Sequence, residues 1–186
     1  MRVVAELIVV TGPPGAGKTT VSRVLSGMFA RSARVAGDDF FAFIDRGYLL
    51  PWTQAAHRQN EVGVSAAAAA AGLLVTGGYT VVYDGVVGPW MVDLFGRAAG
   101  LTRLHYALLL PPEQLCLHRV ESRIGHGFTD LDAARHMYAE FANAEIDSRH
   151  VLTSPGDATT LAAHLQQLVQ EGSILRPIDP ESAHHR

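Results

Sequence analysis

Cysteine is almost absent from this sequence, and its scarcity limits how the protein can be stabilised. Only Cys116 occurs in 186 residues, so an intramolecular disulfide is impossible. A chain stabilised without disulfides suits a reducing interior, and we expect a cytoplasmic protein. The nine histidines are scattered without the spacing of zinc ligands, so the sequence offers no structural zinc site.

Long hydrophobic runs are also missing. The apolar stretch around residues 66–75 is well short of the roughly 18 to 20 residues that cross a membrane, and its alanines favour a tightly packed helix. The apolar run at residues 7–10 is four residues long and meets a glycine-rich turn, so it predicts a buried strand and not a signal peptide.

A basic surplus is the third feature that the sequence lacks. Lysine and arginine total 15 against 18 aspartates and glutamates, a net charge of -3. Phosphate backbones and anionic membranes select proteins with clustered cations. We therefore expect no nucleic-acid partner, no membrane partner and a small-molecule ligand, for a protein that is a monomer or a homodimer.

The composition fits one globular domain. With 48% hydrophobic and 18% charged residues in 186, the chain can bury one sizeable core but not two. We expect a domain over residues 1–172. Residues 173–186, which include Pro177, Pro180 and a polar end, are expected to form a loosely ordered tail.

Short β-branched runs alternate with longer helical stretches, which predicts an α/β fold with a parallel sheet. The predicted strands cover residues 7–11, 33–37, 80–84, 104–109 and 151–153. The predicted helices cover residues 18–31, 54–77, 89–99, 112–124, 130–147 and 157–170.

A glycine-rich motif between the first strand and the first helix matches the P-loop, or Walker A, pattern. Such loops turn their backbone N–H groups around a β-phosphate at the electropositive start of a helix. Lysine then reaches the β- and γ-phosphates, and the next hydroxyl ligates magnesium. The pattern predicts binding of ATP and Mg²⁺ by Gly12, Pro13, Pro14, Gly15, Ala16, Gly17, Lys18, Thr19 and Thr20.

Other P-loop proteins hydrolyse nucleotides, and two observations argue against that role. The sequence contains no Asn-Lys-x-Asp or Thr-Lys-x-Asp guanine signature. Asp84 ends an apolar strand but lacks the following glutamate that many ATPases use to polarise water. Nucleotide hydrolysis therefore has no obvious base.

An acidic pair, Asp38 and Asp39, follows the second predicted strand and should lie near the P-loop at the carboxyl edge of the sheet. A carboxylate there can orient a hydroxyl and accept its proton during phosphoryl transfer. We nominate Asp39 as the base, with Asp38 orienting the acceptor or helping to hold the metal. The alternative is that the pair caps a turn or a helix.

Together these features resemble the small P-loop kinase superfamily, which includes gluconate kinase, shikimate kinase, chloramphenicol phosphotransferase and polynucleotide kinase. The resemblance covers about residues 7–170, and Asp39 followed by Phe40 is most similar to the gluconate kinase pattern. It implies a five-stranded sheet of order 2-3-1-4-5 with a short lid. It also implies that Asp39 is the acceptor-binding base. Asp84, at the end of the strand beside the P-loop, is by the same resemblance an outer-shell partner of magnesium or, alternatively, a contact of the acceptor.

Arg119 and Arg123 lie four residues apart on one predicted helix and so share a face. In similar kinases such a pair precedes the lid, the first arginine stacking on adenine and the second clamping phosphates. The resemblance then implies a lid over residues 124–130 and an adenine-binding backbone over residues 153–156. Alternatively the arginines belong to a solvated helix face and the lid segment is a surface turn.

The acceptor region is expected to be partly apolar. It combines aromatic rings with amide and imidazole donors, which fits a flat or partly apolar acceptor such as a nucleoside or an aromatic or macrocyclic antibiotic. The alternative for Phe40, Trp52 and Trp90 is that they fill the core. The predicted acceptor-binding residues are Asp38, Asp39, Phe40, Trp52, His57, Asn60, Asp84 and Trp90.

The sequence therefore predicts an ATP-dependent phosphotransferase that acts on the hydroxyl of a small molecule such as a nucleoside, sugar or antibiotic. Lys18, Asp39 and Arg123 are the expected catalytic residues, and Thr19 and Asp84 the expected magnesium partners. A nucleoside or nucleotide kinase is one alternative. A nucleotide-binding regulatory ATPase without an acceptor is another.

Overall fold

A sheet whose strands consist mostly of apolar residues forms the centre of the molecule. A computed structural model describes residues 5–122, 130–154 and 156–181. The strands are β1 (Leu7–Thr11), β2 (Ser32–Ala36), β3 (Thr80–Asp84), β4 (Arg103–Leu109), β5 (Val151–Leu152) and β6 (Leu175–Pro177). The helices are α1 (Lys18–Gly27), α2 (Gly37–Ala42), α3 (His57–Thr76), α4 (Val92–Ala98), α5 (Glu113–Glu121), α6 (Leu131–Ala142) and α7 (Ala158–Glu171), with short 3-10 helices at Gln54–Ala56 and Ser148–His150.

The sheet runs in the order β2-β3-β1-β4-β5 with all of these pairs parallel. The α/β class and the predicted strand order are therefore confirmed. β1 is apolar up to Thr11 and fully buried, because both of its faces are covered by helices. Its successive side chains enter opposite cores, Leu7 and Val9 on one face, Ile8 and Val10 on the other.

Helices cover both faces of the sheet. On one face α3 and α4 pack together, and on the other α1 packs against α7. The alanine-rich part of α3 is buried as expected, with Ala67, Ala68 and Ala71 fully enclosed. A Cβ atom added at Gly72 would collide with the carbonyl oxygen of Ala99. Small residues therefore allow α3 to approach the end of α4 closely.

The expectation of a loosely ordered tail is wrong for residues 174–178. These residues include β6, which pairs antiparallel with the first half of β4, while β5 pairs with its second half. Ile174 is fully buried and Ile178 is 7% exposed. The sheet thus has a sixth strand. It is flanked by two isoleucines that pack into the hydrophobic core.

Several predicted boundaries move by a few residues, and one helix was missed. α1 ends at Gly27 and not at residue 31, and α6 ends at Ala142 and not at residue 147. α2, over Gly37–Ala42, was not predicted. Among the described residues, no helix combines the length and apolar character required to cross a membrane.

Candidate active site

The predicted P-loop is curled between β1 and α1. Gly12, Gly15 and Gly17 have φ values of 145°, 81° and 94°, which residues with a Cβ atom rarely adopt. A Cβ atom at Gly12 would collide with the carbonyl oxygen of Leu109, and one at Gly15 would collide with the backbone of Cys116. The glycines therefore permit both the turn and its close contact with neighbouring segments.

Lys18, the first residue of α1, folds back over this loop. Its Nζ donates hydrogen bonds to the carbonyl oxygens of Gly12 at 2.9 Å and Pro13 at 3.1 Å. The ammonium group thus lies against the P-loop backbone, beside the positive N-terminal end of α1. This arrangement suits a polyphosphate, because both the amides and the cation attract anionic oxygens.

Asp84, the last residue of β3, is buried next to the P-loop. The Thr19 hydroxyl donates to its Oδ1 at 3.3 Å, and Arg34 donates to its Oδ2 at 2.9 Å. Burial raises the pKa of Asp84, while the Thr19 hydrogen bond and the charges of Lys18 and Arg34 oppose that rise. These groups therefore offset part of the rise in pKa that burial causes.

Arg34 is a site residue that the sequence analysis missed. It lies on the edge strand β2, in register with Val82 of β3, and its side chain is 28% exposed while that of Asp84 is 5% exposed. A charged residue inside a short apolar strand was the available signal. Its partner could not be identified before the neighbouring strands were paired.

The acidic pair Asp38 and Asp39 lies in the first turn of α2, directly after β2, and both side chains are exposed. The turn into α2 passes over the buried ring of Tyr83, because a Cβ atom at Gly37 would collide with the Tyr83 hydroxyl. Burial raises the pKa of Tyr83, and the charges of Asp38 and Asp84 raise it further. Tyr83 therefore stays neutral beneath two carboxylates.

A cavity with a volume of about 400 Å³ opens beside the P-loop. Arg119 of α5 lines this cavity and donates a hydrogen bond to the carbonyl oxygen of Gly15 at 3.2 Å. Two residues of the segment expected to surround adenine, Ser154 and Gly156, line the cavity. Arg123, most of the predicted lid (124–129) and Pro155 lie outside the described residues. The full lining is Ala16, Gly17, Thr20, Val21, Pro111, Arg119, Ser122, Ser154, Gly156, Asp157, Ala158 and Leu161.

The remaining predicted acceptor residues lie on two segments. Phe40 makes an edge contact with Phe43, and Trp90 contacts Phe141 with ring centroids 5.4 Å apart. Trp90 is 48% exposed, so it does not fill the core. Phe40, in contrast, is partly buried and packs against the hydrophobic core. Trp52 is partly buried.

His57 and Asn60 occupy the first turns of α3. His57 pairs with Glu61 at 3.3 Å, and the Asn60 amide donates to the carbonyl oxygen of Pro51 at 2.6 Å. Both side chains are thus engaged in contacts within the protein.

Comparison with known proteins identifies the architecture. No protein-family model and no curated protein sequence matches the chain. A sugar kinase from a Janibacter species is 19% identical, with 97% of this chain and 99% of that chain covered and a TM-score of 0.67. The tunicamycin resistance protein of Deinococcus radiodurans is 15% identical, covering 93% and 99%, with a TM-score of 0.66. Shikimate kinase from Acinetobacter baumannii, in complex with shikimate, is 23% identical, covering 90% and 94%, with a TM-score of 0.53.

The chain has the fold of the small P-loop kinases. P-loops in general bind a nucleotide together with magnesium, and the side chains at the corresponding position here fit that ion. Thr19 and Asp84 present a hydroxyl and a carboxylate 3.3 Å apart, and magnesium prefers such oxygen ligands, completing its shell with phosphates and water. These two residues are the ones that would hold the ion, directly or through water.

Proposed function

We propose that the protein is a kinase that transfers the γ-phosphoryl group of MgATP to a hydroxyl of a small molecule such as a nucleoside, sugar or antibiotic. The supporting observation is the joint arrangement of Lys18, Thr19 and Asp84 in a curled P-loop site. The acidic first turn of α2 directly follows β2, and the charge of Asp38 acts on Asp84 within this site. Phosphoryl transfer requires this combination of phosphate cradle, metal ligands and nearby carboxylate.

Each residue has a role that follows from its chemistry. Lys18 and the P-loop amides neutralise charge on the β- and γ-phosphates. Arg119 holds the base side of the nucleotide in the 400 Å³ cavity. Asp39 orients the acceptor hydroxyl and takes its proton as the new oxygen–phosphorus bond forms and the bond to the β-phosphate oxygen breaks, which releases ADP. Arg123 is assigned to the transferred phosphoryl by resemblance.

An Asp39→Asn variant tests this assignment. Phosphoryl transfer to an acceptor should fall by about 10²- to 10⁴-fold, the range of general base catalysis, while ATP affinity stays within about threefold of the unmodified protein. Asp38→Asn is the comparison variant, since it removes a carboxylate from the neighbouring position of the same helical turn, and a larger loss of transfer there than in Asp39→Asn would make Asp38 the base. Transfer would be followed as acceptor-dependent ADP release, and ATP affinity by calorimetry.

The same assay separates the kinase from a regulatory ATPase. A kinase releases ADP in proportion to added acceptor and forms a phosphomonoester. An ATPase without an acceptor releases ADP and inorganic phosphate at a rate that no hydroxyl compound changes. Unaltered transfer by Asp39→Asn would remove this residue from the mechanism, and failure to bind MgATP at millimolar concentration would reject the kinase.

A further inference from the structure

Large apolar side chains are exposed chiefly at one edge of the described structure. Six of the seven follow β2 or β3 or lie on the first turns of α3, and only Leu73 lies near the other end of α3. The six are Phe43, Tyr48, Leu49, Leu50, Val62 and Trp90. Exposed large apolar side chains grouped at one edge commonly mark a ligand or partner site.

These residues lie on the side of the sheet that carries the P-loop. α3 ends at Thr76, four residues before β3 begins at Thr80, so its first turns lie at the opposite, carboxyl edge of the sheet. The loop formed by residues 43–53, here called the α2–α3 loop, follows the helix that carries Asp38 and Asp39. The exposed apolar surface therefore flanks the proposed catalytic carboxylate.

Side chains of α3 hold the α2–α3 loop in place. Gln59 both accepts from the Leu49 amide and donates to the Leu49 carbonyl, each at 2.7 Å, which is the pairing that a neighbouring strand would make. Asn60 donates to the Pro51 carbonyl at 2.6 Å. The backbone of Leu49 and the Pro51 carbonyl are thus satisfied by α3, while Tyr48, Leu49 and Leu50 remain 41% to 50% exposed.

The basic side chains at the start of α3 are already paired. His57 and Arg58 both contact Glu61, at 3.3 and 3.1 Å; the Arg58 side chain is 84% exposed and that of Glu61 is 13% exposed. An anionic acceptor would have to compete with the Glu61 carboxylate for either side chain. Arg46, which is exposed on the α2–α3 loop, is the cation that such an acceptor would use instead.

We propose that the acceptor is an uncharged hydroxyl compound with an apolar body, and that this body packs on the exposed apolar side chains of the α2–α3 loop. This inference rests on the proposed kinase function. Gln59 acts as a positioning residue, because its amide fixes the loop that carries Tyr48, Leu49 and Leu50. The hydroxyl of the acceptor extends from this surface towards Asp39.

The test compares two sets of acceptors in the presence of MgATP, with the phosphomonoester product measured by mass spectrometry. The apolar set contains geraniol, 3-phenylpropane-1,2-diol and a macrocyclic lactone with free hydroxyls. The polar set contains glucose, gluconate and shikimate. We expect product from the apolar set and at least tenfold less from the polar set.

Variants then locate the surface. Leu50→Ser should raise the KM of the apolar acceptor by about 5- to 20-fold, because an apolar contact of a partly exposed side chain is lost. Gln59→Ala should raise the same KM, and both variants should leave the KM of ATP unchanged. Leu73→Ser is the matched control, since it removes an equally apolar but 75% exposed residue remote from this edge.

Each other outcome has a definite meaning. Product from the polar set alone, or a larger loss with Arg46→Ala than with Leu50→Ser, would overturn this inference and leave the kinase intact. Product from neither set, with MgATP bound, would overturn the proposed kinase and this inference with it. If Leu50→Ser converts a dimer to a monomer in sedimentation and leaves the acceptor KM unchanged, the surface is a contact between two copies of the chain.

Discussion

Arg34 and Asp84 form an ion pair between two neighbouring strands, with Nη1 2.9 Å from Oδ2. The carboxylate is nearly enclosed, so its negative charge depends on compensation from its surroundings. Arg34 supplies part of that compensation from the edge strand, and Lys18 supplies part from the P-loop. The ionisation of a predicted metal partner is therefore coupled to a residue of β2 that lies outside the P-loop motif.

Replacing Arg34 should make nucleotide binding sensitive to acid. In Arg34→Met the pKa of Asp84, already raised by burial, should rise further because an attractive cation is lost. Protonated Asp84 cannot serve magnesium, so MgATP affinity should begin to fall at a higher pH than in the unmodified protein. Calorimetric titrations between about pH 4.5 and 8 would show the shift, and an unmoved acid limb would contradict it.

The stability of the same variant has a definite sign. A carboxyl group whose folded pKa exceeds its unfolded pKa contributes stability at low pH and loses it as pH rises through the folded pKa. Arg34→Met should therefore lower the free energy of unfolding by about 2 kcal/mol at pH 7 and by less at pH 3, where Asp84 is more readily protonated. Urea denaturation at the two pH values measures the difference.

Gly15→Ala should disable the P-loop. The substitution places a Cβ atom against the backbone of Cys116 at a φ of 81°, a conformation that costs about 1 to 2 kcal/mol for an alanine before the collision is counted. We expect a lower melting temperature and loss of ATP binding. Gly27→Ala is the control, because a Cβ atom there meets nothing within 4 Å, and it should bind ATP normally.

Arg119 is expected to contact the adenine base of ATP and not its phosphates. Its guanidinium lines the 400 Å³ cavity, and a planar cation stacked on an aromatic base contributes about 1 to 2 kcal/mol. Arg119→Ala should weaken ATP binding by about tenfold and inorganic tripolyphosphate by much less. Arg135→Ala, which removes an exposed arginine paired with Asp132 on α6, should change neither. Equal losses for both ligands would place Arg119 on the phosphates.

The strand β6 should be part of the cooperative fold. Ile174, just before it, is fully buried, and truncating a buried isoleucine costs about 2 to 5 kcal/mol. Ile174→Ala should therefore lower the free energy of unfolding by that amount. Leu73→Ala, at a residue 75% exposed, should stay within about 0.5 kcal/mol. Denaturant titration compares the two, and equal stabilities would mean that β6 is dispensable.

The predictable parts of this protein are those that local sequence encodes. The strand, glycine-rich turn and helix around Lys18 are contiguous, so their chemistry and their geometry were both apparent before the structure. The sheet order came from resemblance, since parallel pairing joins distant segments. α2 was missed because its six residues are too few to show helical periodicity.

The contacts that shape the candidate site were less accessible to prediction. The pairing of Arg34 with Asp84 joins residues 50 positions apart, and no local pattern reports such a contact. β6 has three residues and ends in proline, a composition typical of a loop. The aromatic residues were identified, but whether each fills the core or faces solvent depends on tertiary packing, as the half-exposed Trp90 shows.

The position of β6 also affects how the chain folds during synthesis. The first half of β4 has no partner on its outer edge until residues 174–178 have left the ribosome. During that interval an apolar strand edge and the future contacts of Ile174 stay open to neighbouring chains. Rapid emergence of residues 174–178, or a chaperone that shields β4, would favour recovery of the protein over its aggregation.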